Sequence, residues 1–409
     1  MFVLFVCPIF SPAASQMIEA ALNEPQVRLG VIAQQPQSAL APSLAARIAA
    51  HWQVDDVTDA AALERAVRAL GAQYGAAYGA VVRCFGAYEQ LQLPLAMVRE
   101  QLWIPALTSE AAHNFRDKAR MKDALRSAGV PVARHRLIAS REDALAFVGE
   151  VGFPIVLKPP AGAGAIATQR IHEVAALDAM LATYPATPAH PMLAEEFLSG
   201  TEYSLETVSI NGDAVWHSLT RYGPTPLHVV EQAWIQWTVL LPRDIDAPEF
   251  DDIRAVGAQA LRALGMGTGV SHCEWFRRPD GTLAISEIAA RPPGANITTM
   301  ISRANDIDFV AAWVRLMIHG TFTTPDRRYA VGTAYLRGQG TGQVRAVEGL
   351  DEIQSQFGAL ICDARLPYLG QHPTGSYEGE GYIIVRHPDT AVVQHALQYI
   401  VSRVRVRLG

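Results

Sequence analysis

The chain has 409 residues, half of them hydrophobic, and a formal net charge of −6, so it can build two or three globular domains. Its acidic balance and the absence of any Lys/Arg run interleaved with aromatics argue against a nucleic acid partner. The isolated Cys7, Cys84, Cys273 and Cys362 lack the spacing of a zinc site and predict reduced thiols in the cytoplasm.

The first hundred residues alternate short apolar strands with helical segments. Strands are predicted at 2–6, 27–33 and 80–85, and helices at 60–70 and 91–102. This order is typical of a small parallel α/β layer. The opening segment could imitate a signal peptide, but its first basic residue is Arg28, so a buried strand is favoured. No segment approaches the roughly 18 apolar residues of a membrane helix, and no membrane partner is expected.

Lysine is rare in this chain. Arginine supplies most of its 34 cationic side chains, which suggests that a retained lysine needs a compact ammonium group. The first lysine shares a helical face with Met121 and Leu125, so we expect it to point toward the packed side. The second, one turn later, is expected to face solvent. The three lysines are Lys118, Lys122 and Lys158.

A compact α+β unit should follow, with strands at 135–138 and 155–158 and helices beginning near 142 and 173. Residues 162–167, GAGAIA, match the G-x-G-x-x-[GA] dinucleotide fingerprint. However, Lys158-Pro159-Pro160 separates strand from glycines, and the next segment resembles a strand instead of a helix. A hairpin that covers phosphates is therefore favoured over a dehydrogenase turn, with a flexible surface loop as the alternative. Its backbone N–H groups and Lys158 would bind phosphate oxygens.

Acidic residues surround the next predicted strand, 193–198, and the hairpin after it, 202–219. The end of a strand offers backbone groups that can read an adenine edge, and ribose hydroxyls favour a nearby carboxylate. Glu195 and Glu202 fit these two tasks. The plainer interpretation is that they are acidic residues bounding a strand.

A second hairpin, 269–291, turns at Arg278-Pro-Asp-Gly281. We expect position 272 to face 287, with 274 on the diagonal. One face would then carry His272, Glu274, Glu287, Ala289 and Arg291. Two close carboxylates on a rigid sheet can hold hard cations, and a neighbouring arginine can neutralise a phosphate or carboxylate. A solvated face with a chance ion pair is the alternative.

The order of these features along the chain resembles the order of motifs in the ATP-grasp superfamily. They are the helical lysine, GFPIVLKP with its glycine loop, E-E-F-L-x-G-x-E-Y-S, H-x-E, and S-E-I-x-x-R-P-P-G, spread over residues 114–320. The resemblance implies an ATP-grasp fold, mixing α/β and α+β parts, with an N-terminal Rossmann-like pre-ATP-grasp domain at 1–112. A lid subdomain with the glycine loop is then expected at 113–193, a core with the metal site at 194–322, and a C-terminal α+β subdomain at 323–409.

The resemblance also implies roles for individual residues. Glu274 and Glu287 would bind magnesium, and Arg291 would contact the transferred phosphoryl group. Arg291 and Lys158 are the expected catalytic residues. Ala289 stands where many members have asparagine, so a second magnesium would rest on Glu287 with phosphate and water. The ATP contacts implied are Lys118, Lys158, Ala161, Gly162, Ala163, Gly164, Glu195, Glu196, Phe197, Leu198 and Glu202.

Members of the superfamily join a carboxylate to an amine or another nucleophile through an acylphosphate. The pattern is similar to that of L-amino acid (dipeptide) ligases. This resemblance implies that the protein uses ATP with Mg²⁺ or Mn²⁺ and acts on small-molecule carboxylate and amine substrates. It is also compatible with a homodimer. Expected substrate contacts are His272, His228, Glu231 and Arg291, with Arg337 a weaker candidate. The alternatives are a catalytically silent ATP-binding regulatory module and a ligase for a non-amino-acid carboxylate.

Overall fold

The computed structural model describes residues 1–162, 167–232 and 235–409. Its N-terminal domain is the predicted parallel α/β layer, with strand order β3-β2-β1-β4. Every residue of β1 is buried, as the continuous apolar run requires of a central parallel strand. The short strand β3 was not predicted. The elements are β1 Phe2–Cys7, α1 Pro12–Asn23, β2 Arg28–Ala33, α2 Pro42–Ala45, β3 Ala50–Gln53, α3 Ala60–Tyr78, β4 Val81–Phe85, α4 Gln92–Gln101 and α5 Ser109–Arg116.

A four-stranded antiparallel sheet, here called the lid sheet, follows in the order β5-β8-β6-β7. The segment after the glycine loop is β7, which pairs with β6, so the predicted strand-loop-strand hairpin is confirmed. The boundary proposed at 193/194 falls inside β8, which belongs to this sheet. The elements are α6 Lys118–Ser127, β5 His135–Ile138, α7 Arg141–Val151, β6 Ile155–Lys158, β7 Gln169–Ile171, α8 Val174–Thr183 and β8 Met192–Glu196.

The core is an eight-stranded antiparallel sheet, here called the large sheet, in the order β13-β12-β9-β10-β11-β14-β18-β17. Its last three strands come from the C-terminal region, so the part proposed as a separate subdomain continues the same sheet. The elements up to residue 319 are β9 Thr201–Ile210, β10 Asp213–Gly223, α9 Pro226–Glu231, β11 Trp237–Leu241, α10 Asp251–Leu264, β12 Gly269–Arg277, β13 Leu283–Ala289, α11 Ile297–Asn305 and α12 Phe309–His319.

The C-terminal region adds a three-stranded sheet, β15-β19-β16, beside the end of the large sheet. Helix α14 packs against β14 and β18, and its apolar side chains share a core with them. The elements are β14 Ala330–Leu336, β15 Gly338–Gln339, β16 Val344–Glu348, α13 Leu350–Phe357, β17 Ile361–Arg365, β18 Gly381–His387, α14 Thr390–Arg403 and β19 Arg405–Leu408.

Local sequence signals fix the start of α6, the helix that brings two lysines to the site. The side chain of Asp117 accepts hydrogen bonds from the N–H groups of Ala119 and Arg120, both at 2.9 Å, and so caps the helix directly before Lys118. Lys118 is 5 % exposed and shares a buried face with Met121, as predicted.

In the part of the chain that the structure describes, every helix is too short or too polar to cross a bilayer.

Candidate active site

A cavity of about 370 Å³ lies where the lid sheet, the large sheet and the N-terminal domain meet. Thirteen of the residues singled out from the sequence line it, although they come from α6, β6, β8, β9, β12, β13 and their loops. These residues are Lys118, Lys158, Gly162, Glu195, Glu196, Phe197, Leu198, Glu202, His272, Glu274, Glu287, Ala289 and Arg291. Two further predicted loop residues, Ala163 and Gly164, lie outside the described residues.

Two lysines enter the cavity wall from different elements. Lys118 Nζ lies 2.9 Å from a carboxylate oxygen of Glu287 and donates to the carbonyl of Gly162 at 3.0 Å. The helix therefore links the glycine loop to the strand that carries a predicted metal ligand. Lys158, at the end of β6, is 8 % exposed and lies 2.9 Å from Glu195 Oε2.

Lys122 corrects the sequence analysis. It was expected to face solvent, but its side chain is fully buried and its ammonium lies 2.7 Å from Glu195 Oε1. The expectation was wrong because helical periodicity identifies the buried face of a helix but does not show that another part of the same chain, here the lid sheet, covers the neighbouring face. Glu195 is thereby held between two ammonium groups, Lys122 and Lys158.

Burial alone would raise the pKa of Glu195, but Lys122 and Lys158 outweigh it and lower that pKa to about 2. A carboxyl group in the unfolded chain titrates near pH ~4.3, so the stability contributed by ionised Glu195 is present above that pH and is lost as the pH falls toward 2. We expect the difference in unfolding free energy between wild type and Glu195→Gln to shrink by about 2 kcal/mol between pH 6 and pH 3. Urea titrations at both pH values test this. The exposed Glu110→Gln should show no such change, and a pH-independent difference for Glu195→Gln would contradict the assignment.

Residues 196–200, at the end of β8 and here called the hinge, line the cavity. The Glu196 carboxylate turns away, to Arg134 at 2.7 Å and Arg278 at 3.2 Å. Phe197 packs beneath the guanidinium of Arg170, 4.9 Å from the ring centre. The Glu195 side chain is occupied by lysines, so the adenine contact proposed for this hinge would fall to backbone groups.

The two predicted metal carboxylates face each other across β12 and β13. Glu274 lies directly opposite Glu287 and His272 opposite Ala289, so the predicted register was wrong by two residues. Two local features cause this shift: the turn leaves five residues between the paired Arg277 and Leu283, where an even-length loop was expected, and β13 has a bulge at Ser286, between Glu274/Glu287 and Trp275/Ile285. The five residues still share one face, as predicted.

Among residues 1–162, 167–232 and 235–409, no group of three or more His, Cys, Asp or Glu side chains forms a metal cluster. The donor set at the bulge is instead two carboxylates, the oxygen ligands that Mg²⁺ prefers, and Mg²⁺ commonly completes its shell with water and substrate phosphates. Two lysines on the same cavity wall supply charge for those phosphates. The residues present therefore fit MgATP.

Glu202 and His272 lie beside these carboxylates. Burial, reinforced by the nearby charge of Glu274, raises the pKa of Glu202 well above its usual value. His272 Nδ1 lies 2.9 Å from the fully buried Glu206, and its Nε2 lies 3.5 Å from Glu274. Burial would lower the pKa of His272, but its bonds to Glu206 and Glu274 raise it to about 9, which favours an imidazolium.

Arg291 is held in place by the N-terminal domain. Its Nε and Nη2 lie 3.0 and 2.9 Å from Glu89 Oε2, on the 3₁₀ helix Glu89–Leu91. Arg116 binds the other oxygen of Glu89 at 3.0 Å. Sequence reasoning missed Glu89 because it lies 202 residues before Arg291 and outside any recognisable motif.

Aromatic side chains line the same cavity along the large sheet, from the carboxylates on β12 and β13 toward β10 and β11. They include Tyr222, Trp237 and Tyr377. The Trp237 and Tyr377 rings meet edge to face, 5.1 Å apart, while Tyr222 stacks on Trp237 at 5.8 Å. Tyr222 and Trp237 belong to a segment of the sequence, residues 221–237, that is rich in aromatics, but Tyr377 gave no sequence signal.

The other three substrate candidates, His228, Glu231 and the weaker Arg337, lie elsewhere. Glu231 in α9 pairs with Arg170 of the lid sheet, with its Oε1 3.1 Å from Nε. Neither His228 nor Glu231 lines the cavity, although Leu227 of the same helix does. Arg337 donates to the backbone carbonyls of residues 229, 232 and 235, which makes it an anchor for the segment around α9.

Comparisons with known proteins agree with this arrangement. Residues 123–305 match the family model of the ATP-grasp domain. The chain is 26 % identical over 312 residues to "Uncharacterized protein y4rH" of Sinorhizobium fredii, covering 73 % of this chain and 63 % of that protein. It is 25 % identical over 292 residues to the L-arginine-specific L-amino acid ligase of Bacillus subtilis, covering 69 % and 68 %.

Among solved structures, an L-amino acid ligase from Bacillus licheniformis aligns with a TM-score of 0.77 at 17 % identity, over 100 % of this chain and 98 % of that one. The alignment with y4rH spans less than two thirds of that relative's length. The matched domain and the fold nevertheless agree with the motifs in their order along the chain. Residues 123–305 of this chain therefore carry an ATP-grasp domain.

Proposed function

We propose that the protein is an ATP-dependent ligase that activates a carboxylate, most simply that of an amino acid, and joins it to an amine. The observation that carries the proposal is one cavity lined by Lys118, Lys158, the opposed Glu274 and Glu287, and Arg291. Positive groups for phosphates, oxygen ligands for a cation and an arginine for a second anion meet at one place. The similarity to a protein named as an L-amino acid ligase supports an amino acid as the source of the activated carboxylate.

The proposed reaction has two steps. A substrate carboxylate oxygen attacks the γ-phosphorus of ATP, the bond to the β-γ bridging oxygen breaks, and ADP leaves. The amine nitrogen then attacks the acyl carbon of the acylphosphate, phosphate leaves, and the amine loses a proton as the amide forms. Phosphoryl transfer of this kind depends mainly on positioning and electrostatic stabilisation.

The protein's own residues would divide these tasks. Lys118 and Lys158 hold phosphate oxygens, and Arg291, fixed by Glu89, faces the charge of the acylphosphate. Glu274 and Glu287 would hold Mg²⁺, or Mn²⁺, which neutralises phosphate charge. The glycine loop would exclude water that otherwise hydrolyses the acylphosphate.

The aromatic part of the cavity points to the character of one substrate. Tyr222, Trp237 and Tyr377 lie beside the reaction groups, and since Tyr222 and Trp237 are buried, the half-buried Tyr377 would present most of the apolar ring surface. An amino acid with an apolar side chain would pack there while its charged groups face Arg291 and the carboxylates. A cytoplasmic location and a homodimer remain predictions from the sequence.

Incubation of the protein with MgATP and pools of amino acids tests the proposal. We expect ADP and phosphate in equal amounts, together with a product whose mass equals two amino acids less one water. Binding of MgATP without ADP formation, across amino acid and other carboxylate pools, would favour the silent regulatory module instead. ADP formation only with a carboxylate other than an amino acid would assign the alternative ligase.

A further inference from the structure

Lys122 is the most deeply buried cation at the site, yet no role in the reaction falls to it. Its side chain is 0 % exposed and it does not line the cavity. It makes two contacts, with Glu195 Oε1 at 2.7 Å and with the carbonyl of Ser286 at 2.5 Å. Burying an ammonium group costs free energy unless it is paired with an opposite charge. The burial of Lys122 therefore needs a physical reason.

The first contact places Lys122 behind a lysine that does line the cavity. Glu195 bridges Lys122 and Lys158, one carboxylate oxygen to each, and all three groups are at least nine-tenths buried. If Glu195 had Lys158 as its sole cationic partner, the pair would be neutral. With Lys122, the Lys122–Glu195–Lys158 cluster keeps one net positive charge at the wall that faces the phosphates.

The second contact reaches the metal carboxylates. Ser286 is the bulged residue of β13, and a bulge leaves its extra residue without a partner in the ladder. Lys122 donates to that carbonyl. The bulge is what sets Glu287 directly opposite Glu274. One ammonium thus joins the lid sheet, through Glu195, to the strand whose register forms the carboxylate pair.

We propose that Lys122 is a positioning residue for nucleotide binding, which fixes Lys158 through Glu195 and fixes the Glu274/Glu287 pair through the Ser286 carbonyl. The proposal builds on the proposed function. It assigns to Lys122 no contact with substrate. Burial and the like charge of Lys158 lower the pKa of Lys122 while Glu195 raises it, and the same carboxylate contributes to the raised pKa of Lys158.

The rival interpretation is that Lys122 only stabilises the fold. Lys122→Met, which keeps the length of the side chain and removes its charge, separates the two. We expect MgATP affinity, measured by calorimetry on the full chain, to fall at least tenfold. Leu397→Ala, which truncates a core side chain of α14 that does not line the cavity, is the control for a loss of stability alone and should bind MgATP within twofold of wild type.

A second measurement reports on Lys158 itself. Because the chain has three lysines, protein labelled with ¹³Cε-lysine gives three assignable NMR signals. In Lys122→Met the Lys158 signal should shift and lose most of its response to MgADP, whereas in Leu397→Ala it should stay in place. If Lys122→Met does not fold, Glu195→Gln carries the same test with the same expected results.

A folded Lys122→Met, or Glu195→Gln in its place, that binds MgATP within twofold of wild type and leaves the Lys158 signal unmoved overturns the proposal. These measurements need nucleotide alone. A wild type that forms no ADP with any substrate pool would therefore refute the proposed ligase activity while leaving the role of Lys122 to be decided by its own result.

Discussion

Replacing Lys158 with alanine is expected to abolish substrate-dependent ADP formation, with a loss of at least about 100-fold in kcat/KM for MgATP. Lys158 stands at the end of β6, directly before the glycine loop, and its ammonium is held at the cavity wall by Glu195. Its removal would take away the positive group that we propose to face the phosphates and would leave Glu195 with one cation in place of two. Steady-state ADP release, coupled to NADH oxidation, measures the effect.

Arg68→Ala provides the matched control for this loss. It removes a positive side chain that is exposed on α3 and paired with Glu64, far from the cavity. We expect its turnover to equal that of wild type, because exposed ion pairs of this kind contribute little to stability. Wild-type turnover by Lys158→Ala would remove the lysine from the phosphate site and with it the main support for nucleotide binding here.

Replacing Glu287 with glutamine is expected to lower kcat by about 100-fold and to raise the Mg²⁺ concentration that gives half-maximal activity at least tenfold. The change keeps the size of the side chain but removes the charge that faces Glu274 and pairs with Lys118. Titration of activity and of ATP binding against Mg²⁺ at fixed ATP measures both effects.

Glu348→Gln is the corresponding control, since Glu348 is an exposed glutamate paired with Arg407 in the C-terminal region. Its Mg²⁺ dependence should match that of wild type. Should Glu287→Gln retain the wild-type Mg²⁺ dependence, the two opposed carboxylates would have to be reinterpreted as a structural pair bound to Lys118 and His272.

Local patterns in the sequence were sufficient for most of the fold. The apolar run of β1, the helical spacing around Lys118 and the turn at Arg278 each depend on neighbours a few residues away, so one sequence records them. The carboxylates of β12 and β13 were placed on one face for the same reason. Their register was missed because it depends on the odd length of the turn and on the bulge at Ser286, where a backbone carbonyl is satisfied by a side chain 164 residues away.

The errors at the site share this origin. Lys122 was assigned to solvent, and the lysine partners of Glu195 were missed, because each residue was considered beside its own neighbours in the chain. Their contact joins α6 to β8, and no local pattern reports it. Glu89 and Tyr377 reach the cavity from opposite ends of the chain for reasons of topology alone.

The burial of all three lysines has a practical consequence for covalent chemistry. They are 5 %, 0 % and 8 % exposed at positions 118, 122 and 158, so the folded surface offers amine reagents little beyond the N-terminal amine. Apart from that amine, acylating or Schiff-base-forming reagents should therefore act slowly and chiefly at the cavity, where Lys118 and Lys158 lie on the wall. On this chain, lysine modification would serve as a footprint of the nucleotide site, whereas on most proteins it marks the general surface.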